Sequence, residues 1–187
     1  MVMTERRLTA DEYLALPLEK RHTQLIDGEI VVTDPRLRHQ RILAELSRLF
    51  ANWLLEHPGI GEAGVGWNWR LDDRNVFTPD VWFLREEHRP GQGENPLAFG
   101  GPPDLAVEVR SPTTWRYDVG RKKLRYERLG LAELWLVDTE SNTILIFRRS
   151  GPKATEFDVD LEVGAGEVLS TPLLPGFALD VAALFDR

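Results

Sequence analysis

The stretch Pro102-Pro103-Asp104-Leu105-Ala106-Val107-Glu108-Val109-Arg110-Ser111-Pro112 decides how the chain is read. Leu105, Ala106, Val107 and Val109 make an apolar run of strand length, with β-branched residues near its end. Prolines precede it and Ser111-Pro112 follows, so both ends are punctuated. The run predicts a buried central strand. Glu108 falls inside it, and a carboxylate in a dry sheet is costly unless a cation or a set of donors meets it. Alternation puts Asp104, Ala106, Glu108 and Arg110 on one face. Two readings follow: an ion pair between Glu108 and Arg110 within the strand, or a functional carboxylate.

A length of 187 residues suits one domain with a sizeable core, spanning residues 1–187. With 42% hydrophobic and 28% charged residues the chain is globular in composition. The absence of cysteine excludes disulfides and thiolate metal sites. No apolar run approaches membrane-spanning length and Met1 to Arg7 lacks a signal-peptide core, so a cytoplasmic protein without membrane contact is expected. The net charge is −7, but it is unevenly spread. From Leu105 to Gly130, seven basic residues (Arg110, Arg116, Arg121, Lys122, Lys123, Arg125, Arg128) face three acidic ones (Glu108, Asp118, Glu127), a local charge of +4.

Outward from the central strand, the N-terminal half reads clearly. Thr9-Ala10-Asp11-Glu12 has the spacing of a capping box before a short apolar helix. Gln24 to Val32, with Asp27-Gly28 at its middle, predicts a hairpin. From Arg38 to Glu56, Ile42, Leu43, Leu46, Leu49, Phe50, Trp53 and Leu54 predict a one-sided helix that ends at His57-Pro58-Gly59. Ala63, Val65, Trp67 and Trp69, continuing into Arg70-Leu71, read as one strand; Asp72 to Asn75 is its turn, and Pro79 to Leu84 is the returning strand. Arg85 to Gly101 is a long polar loop.

Beyond the central strand, Asp118 to Leu129 predicts a helix ended by Gly130. Leu134 to Val137 and Thr143 to Phe147 predict two strands, and shorter segments follow at Phe157 to Val159, Val168-Leu169 and Pro175 to Leu179, with a brief helix through Leu184. There is no internal repeat, linker or second domain. The expected fold is α/β or α+β, a mixed central sheet with a helix on each side and a helix/hairpin extension at the N-terminus.

Asp80 opens one strand and Glu108 lies in the next, so the two carboxylates are expected to face each other across a ladder. Their repulsion calls for a divalent cation, and oxygen-only ligation favours Mg2+ or Mn2+. Asp118, Lys122 and Tyr126, spaced by four, share one helix face, and the adjacent Lys122 and Lys123 point about 100° apart, so only one of the two lysines can face the carboxylates. The plainer alternatives are an exposed Asp118–Lys122 pair and a solvated Lys123. Glu29 in the hairpin is a further acidic candidate, with a solvent-facing hairpin residue as the alternative.

Pro79-Asp80, Glu108 in a buried strand and a following lysine resemble the PD-(D/E)xK nuclease signature. More narrowly, the chain resembles the large bacterial family of restriction endonucleases of unknown function. The matching stretches are Leu25 to Glu29, His39, Pro79 to Val81, Pro102 to Val109, Ser111 to Thr114, Asp118 through Lys122 to Tyr126, and Gly130 through Glu133 to Asp138. The resemblance implies a restriction-endonuclease-like core. It implies Mg2+- or Mn2+-dependent hydrolysis of DNA, with Asp80, Glu108 and the Val109 carbonyl holding the ion and Lys122 orienting water. Arg116 and Lys123, with Arg110, are the expected phosphate contacts. Two departures stand out. The signature lysine two residues after Glu108 is Arg110, a poor general base. Gln24 stands where many relatives carry glutamate. These departures motivate a second reading, a DNA- or partner-binding module that does not cut. A two-carboxylate glycosidase is a third, which leaves Lys122 idle. Six tryptophans and the two-fold symmetry of duplex DNA point to a homodimer or a higher even-numbered oligomer.

Overall fold

In the computed structural model, which describes residues 7–17, 23–90 and 98–186, the capping box closes as its spacing predicts. Thr9 Oγ1 accepts the Glu12 N–H at 3.2 Å and Glu12 Oε2 accepts the Thr9 N–H at 2.9 Å, opening α1 (Ala10–Leu14). Residues 1–6, part of the stretch read for a signal peptide, lie outside the described residues. Asp27 and Gly28 take φ of 52° and 81°, the left-handed pair of a two-residue turn, and join β1 (Thr23–Ile26) to β2 (Glu29–Val32). The long helix α2 (Leu37–Glu56) buries Ile42, Leu46, Phe50 and Trp53 on one stripe.

The next segment departs from the single-strand reading. β3 (Gly61–Val65) and β4 (Trp69–Asp72) belong to different sheets, as do β5 (Asn75–Phe77) and β6 (Val81–Arg85). The apolar alternation runs through the break, but Gly66 at φ 56° turns the chain on the way out, and Pro79, which has no N–H to give a ladder, interrupts it on the way back. The two crossings are tied together by Gly66 N–H to Pro79 O (3.3 Å) and Thr78 Oγ1 to Asn68 Oδ1 (2.9 Å). Within the expected loop, Glu86–His88 forms a 3-10 turn and β7 (Phe99–Gly100) pairs parallel to β4; residues 91–97 lie outside the described residues.

β8 (Leu105–Val109) is the central strand, and every residue of it is buried. The following helix starts earlier than expected and is not uniform: α3 (Trp115–Tyr117), a π turn (Asp118–Lys122) and α4 (Lys123–Arg128) run end to end. β9 (Glu133–Asp138), β10 (Thr143–Arg148), β11 (Val159–Val163), the paired β12 (Val168–Leu169) and β13 (Leu179–Asp180), and α5 (Val181–Phe185) complete the chain.

A six-stranded mixed sheet runs β11-β10-β9-β8-β6-β3, with only β8 and β9 parallel. A five-stranded sheet runs β2-β1-β5-β4-β7. The larger sheet packs Val81, Phe83, Val107 and Trp135 against α2 and the C-terminal segment. Its other face, with Trp82, Leu84, Ala106 and Leu136, meets Ile26, Trp69 and Phe77 of the smaller sheet and Tyr126. A second sheet, not a helix alone, therefore covers that face. Trp53, Trp69, Trp82 and Trp135 are buried and Trp67 and Trp115 partly so, so the aromatic count is absorbed within one protomer. Among the described residues no helix is long and apolar enough to cross a membrane.

Gly64 lies opposite Trp82 in the β3–β6 ladder. A Cβ there would come within 2.4 Å of the indole. Gly64→Ala is expected to cost about 1–3 kcal/mol through overpacking, read as a lower thermal unfolding temperature; an unchanged melt would mean that Trp82 repacks freely.

Candidate active site

Asp80 stands where β5 has ended and β6 has not begun. In the β6–β8 ladder Val81 pairs with Val107, so Asp80 lies one step beyond the last pair, toward Glu108. Its Oδ2 accepts the Val109 N–H at 2.7 Å and lies 3.1 Å from His39 Nε2 of α2. Glu108 points between the two sheets, on the face it shares with Ala106. Its Oε1 accepts the Tyr126 hydroxyl at 3.1 Å and lies 2.5 Å from Lys122 Nζ, which is in turn 3.3 Å from Asp118 Oδ1. Asp118, Lys122 and Tyr126 are all buried, so the spacing by four carries them inward together. The π turn over Asp118–Lys122 adds a residue to that turn; such insertions are concentrated at functional sites.

Burial pushes the Glu108 carboxyl up to about 8; Lys122 pulls the other way, and Asp118 and Asp80 add to the rise. Burial also raises Asp118, against the opposing pull of Lys122. For Lys122 burial works against the charge, but the carboxylates of Glu108 and Asp118 outweigh it and hold the ammonium above its ordinary value. Burial, with Glu108 adding, lifts the Tyr126 phenol.

A cleft of about 290 Å³ opens onto Asp80 and Glu108, with Gln24, His39, Thr78, Ser111 and Thr114 on its walls. Lys122, with no exposed surface, lies behind Glu108 and does not line the cleft. Gln24 reaches the wall, but its Oε1 accepts the Thr78 N–H at 3.2 Å, an additional tie between the hairpin and the strand crossing.

The other candidates fall elsewhere. Glu29 is half-exposed and paired with Arg7 (3.3 Å) and Arg121 (3.6 Å), outside the cleft wall. Arg110 forms no pair with Glu108. β8 ends at Val109, alternation stops there, and Arg110 instead meets Asp138 (3.0 Å) and Glu140 (2.7 Å) beneath the Trp115 ring. Arg116 is exposed and hydrogen-bonds Tyr117. Lys123 turns away from Glu108, its Nζ 3.9 Å above the Phe147 ring. Arg121 and Arg125 pair with Asp27, so much of the basic segment is neutralised within the chain. The site residues that the sequence left without a role are His39, which stood only as a matching position, and Asp118, which stood as a spacing and as the partner of Lys122 in an exposed pair; the pair forms, but buried.

Among the described residues no group of three or more His, Asp or Glu side chains is arranged to enclose a metal ion. Asp80 and Glu108 alone suit a cation that keeps part of its water shell, as Mg2+ does. The charge count supports a dication: three carboxyls (Asp80, Glu108, Asp118) interact around one ammonium (Lys122), a deficit of two positive charges when all are ionised.

The fold is a mixed α+β arrangement that a protein of known structure shares. A crystal structure of a “putative nuclease belonging to DUF820” from Anabaena variabilis ATCC 29413 superposes with a TM-score of 0.80 at 21% identity, covering 96% of this chain and 98% of that one. Residues 10–182 match the Uma2 family, described as “Putative restriction endonuclease”, and the chain belongs to that family. No curated protein matches it.

Proposed function

We propose that the protein is an endonuclease that hydrolyses DNA phosphodiester bonds with the help of Mg2+ or Mn2+. The observation that carries this reading is the meeting of Asp80 and Glu108 in one cleft, where one ammonium, Lys122, interacts with three carboxyls (Asp80, Glu108 and Asp118). Asp80, Glu108 and the Val109 carbonyl would hold the ion. When bound, it lowers the pKa of a coordinated water and neutralises charge on the scissile phosphate. Lys122 and Tyr126 hold Glu108 from behind and favour its orientation toward the cleft. Lys122 thus acts as a positioning group and counter-charge, not as a free base. Ser111, Thr114, Thr78 and Gln24 give the walls neutral polar groups suited to the sugar–phosphate chain, although the Thr78 hydroxyl already donates to Asn68 and the Thr114 hydroxyl bonds Ser111.

A second reading, a nuclease fold that binds DNA or a partner without cutting, draws on Lys122, which already gives Glu108 a counter-charge without metal. Incubation of plasmid and end-labelled oligonucleotides with Mg2+ or Mn2+ separates the two. The wild type is expected to cut only with the cation present, and Asp80→Asn is expected not to cut. Identical traces for the two proteins would overturn the proposal, and retention of DNA by both without cutting would favour the second reading.

A further inference from the structure

α2 delivers His39, Gln40 and Leu43 to the cleft, and the proposed reaction leaves His39, the one that reaches a candidate ligand, without a task. His39 lies in the first turn of α2, is 6% exposed and reaches Asp80 Oδ2 with Nε2 at 3.1 Å. Asp80 sits outside the strand ladder, and 23% of its side chain is exposed. The ladder does not orient its carboxylate, so the donors that reach it must. Both converge on one oxygen: the Val109 N–H and His39 Nε2 meet Oδ2. Among the described residues Oδ1 takes no hydrogen bond, which leaves it for a ligand.

The two ring nitrogens of His39 are treated differently. Nδ1 is buried and has no hydrogen-bond partner among the described residues, although buried polar atoms are normally paired. With Nε2 carrying the proton to the carboxylate, Nδ1 holds the lone pair. A buried histidine kept only for packing would gain by satisfying both nitrogens. Here the one bond made is the bond to Asp80.

We propose that His39 is a positioning residue: its Nε2–H locks Asp80 with Oδ1 turned to the cleft and thereby sets the affinity of the Asp80–Glu108 site for a divalent cation. The inference rests on the reading of that site as a cation site. Hydrogen-bonding partners of metal-ligating carboxylates typically change metal affinity by about 10–100-fold when removed.

The test is calorimetric titration of Mn2+ into the full chain without DNA, with heat-induced unfolding of each metal-free protein measured alongside. His39→Gln places an amide nitrogen as many bonds from Cβ as Nε2, whereas the amide of His39→Asn is one atom short. Mn2+ affinity is expected to fall about 10–100-fold in His39→Asn and to be largely restored in His39→Gln. If the wild type binds Mn2+ and His39→Asn binds it equally well, the inference is overturned and the cation site stands. Equal weakening in both variants would overturn the role of the donor. A variant that melts earlier with affinity intact would make His39 a structural residue. A wild type that takes up no Mn2+ would remove the cation site itself, and the inference with it.

Discussion

Lys122→Met is expected to unfold on the order of 10 °C below the wild type, whereas Lys123→Met changes the melt little. Lys122 has no exposed surface and its ammonium stands between Glu108 and Asp118. Methionine fills similar space but leaves two buried carboxyls without their counter-charge. Removing one partner of a buried ion pair costs about 3–5 kcal/mol, and a domain of this size shifts by about 2–4 °C for each kcal/mol. The loss depends on pH. Glu108 and Asp118 escape it by taking up protons, and both already have raised pKa values. The gap between variant and wild type should therefore narrow as pH falls from 8 toward 5. Lys123 rests over Phe147, where a cation–π contact is worth about 0.5–1 kcal/mol. Thermal melts of the two variants across that pH range check the assignment; equal losses would mean that the two lysines do not differ in role.

The second large effect has the opposite sign. Glu108→Gln is expected to stabilise the metal-free protein at pH 8 while abolishing cleavage. The folded protein protonates Glu108 at about 8, well above the 4.5 of an ordinary glutamate. Folding therefore raises its proton affinity, and the stability it contributes is fully present below about pH 4.5 and is lost as pH rises through about 8. Glutamine cannot ionise, yet its carbonyl can still accept from Lys122 and Tyr126. Its removal from the titration should flatten the stability–pH profile between 4.5 and 8, with a gain on the order of a few kcal/mol at the upper end. Asp118 shifts in the same direction and keeps part of the slope. A profile as steep in Glu108→Gln as in the wild type would place the titrating group elsewhere. The expected trade is that of a site held at a cost in stability for the sake of a ligand.

The central strand, the Asp27-Gly28 hairpin and the long helix were legible because each is written in local pattern and punctuation. The inward face of Asp118, Lys122 and Tyr126 was legible too, since a spacing of four survives the π turn closely enough to keep all three buried. The second sheet was not. Alternation from Ala63 to Leu71 is continuous, and which sheet a strand joins is settled by partners far along the chain, as when Leu25 pairs with Val76. Gly66 and Pro79 mark the crossings in the sequence, but each also fits a turn within one sheet. Arg110 misled for a related reason: strand alternation was carried one residue past the point where β8 stops. His39 had no local signal beyond its matching position, because its partner lies 41 residues away.

The measurement that bears most directly on the account is the thermal shift produced by Mn2+ at pH 8 in the wild type and in Glu108→Gln. A ligand that binds only the folded state stabilises it by about 2.7 kcal/mol at one hundred times its dissociation constant. The account predicts that Mn2+ raises the melting temperature of the wild type, offsetting the charge that Glu108 carries at that pH, and leaves Glu108→Gln unmoved. Equal shifts in the two proteins, or none in the wild type, would contradict a cation held by Asp80 and Glu108.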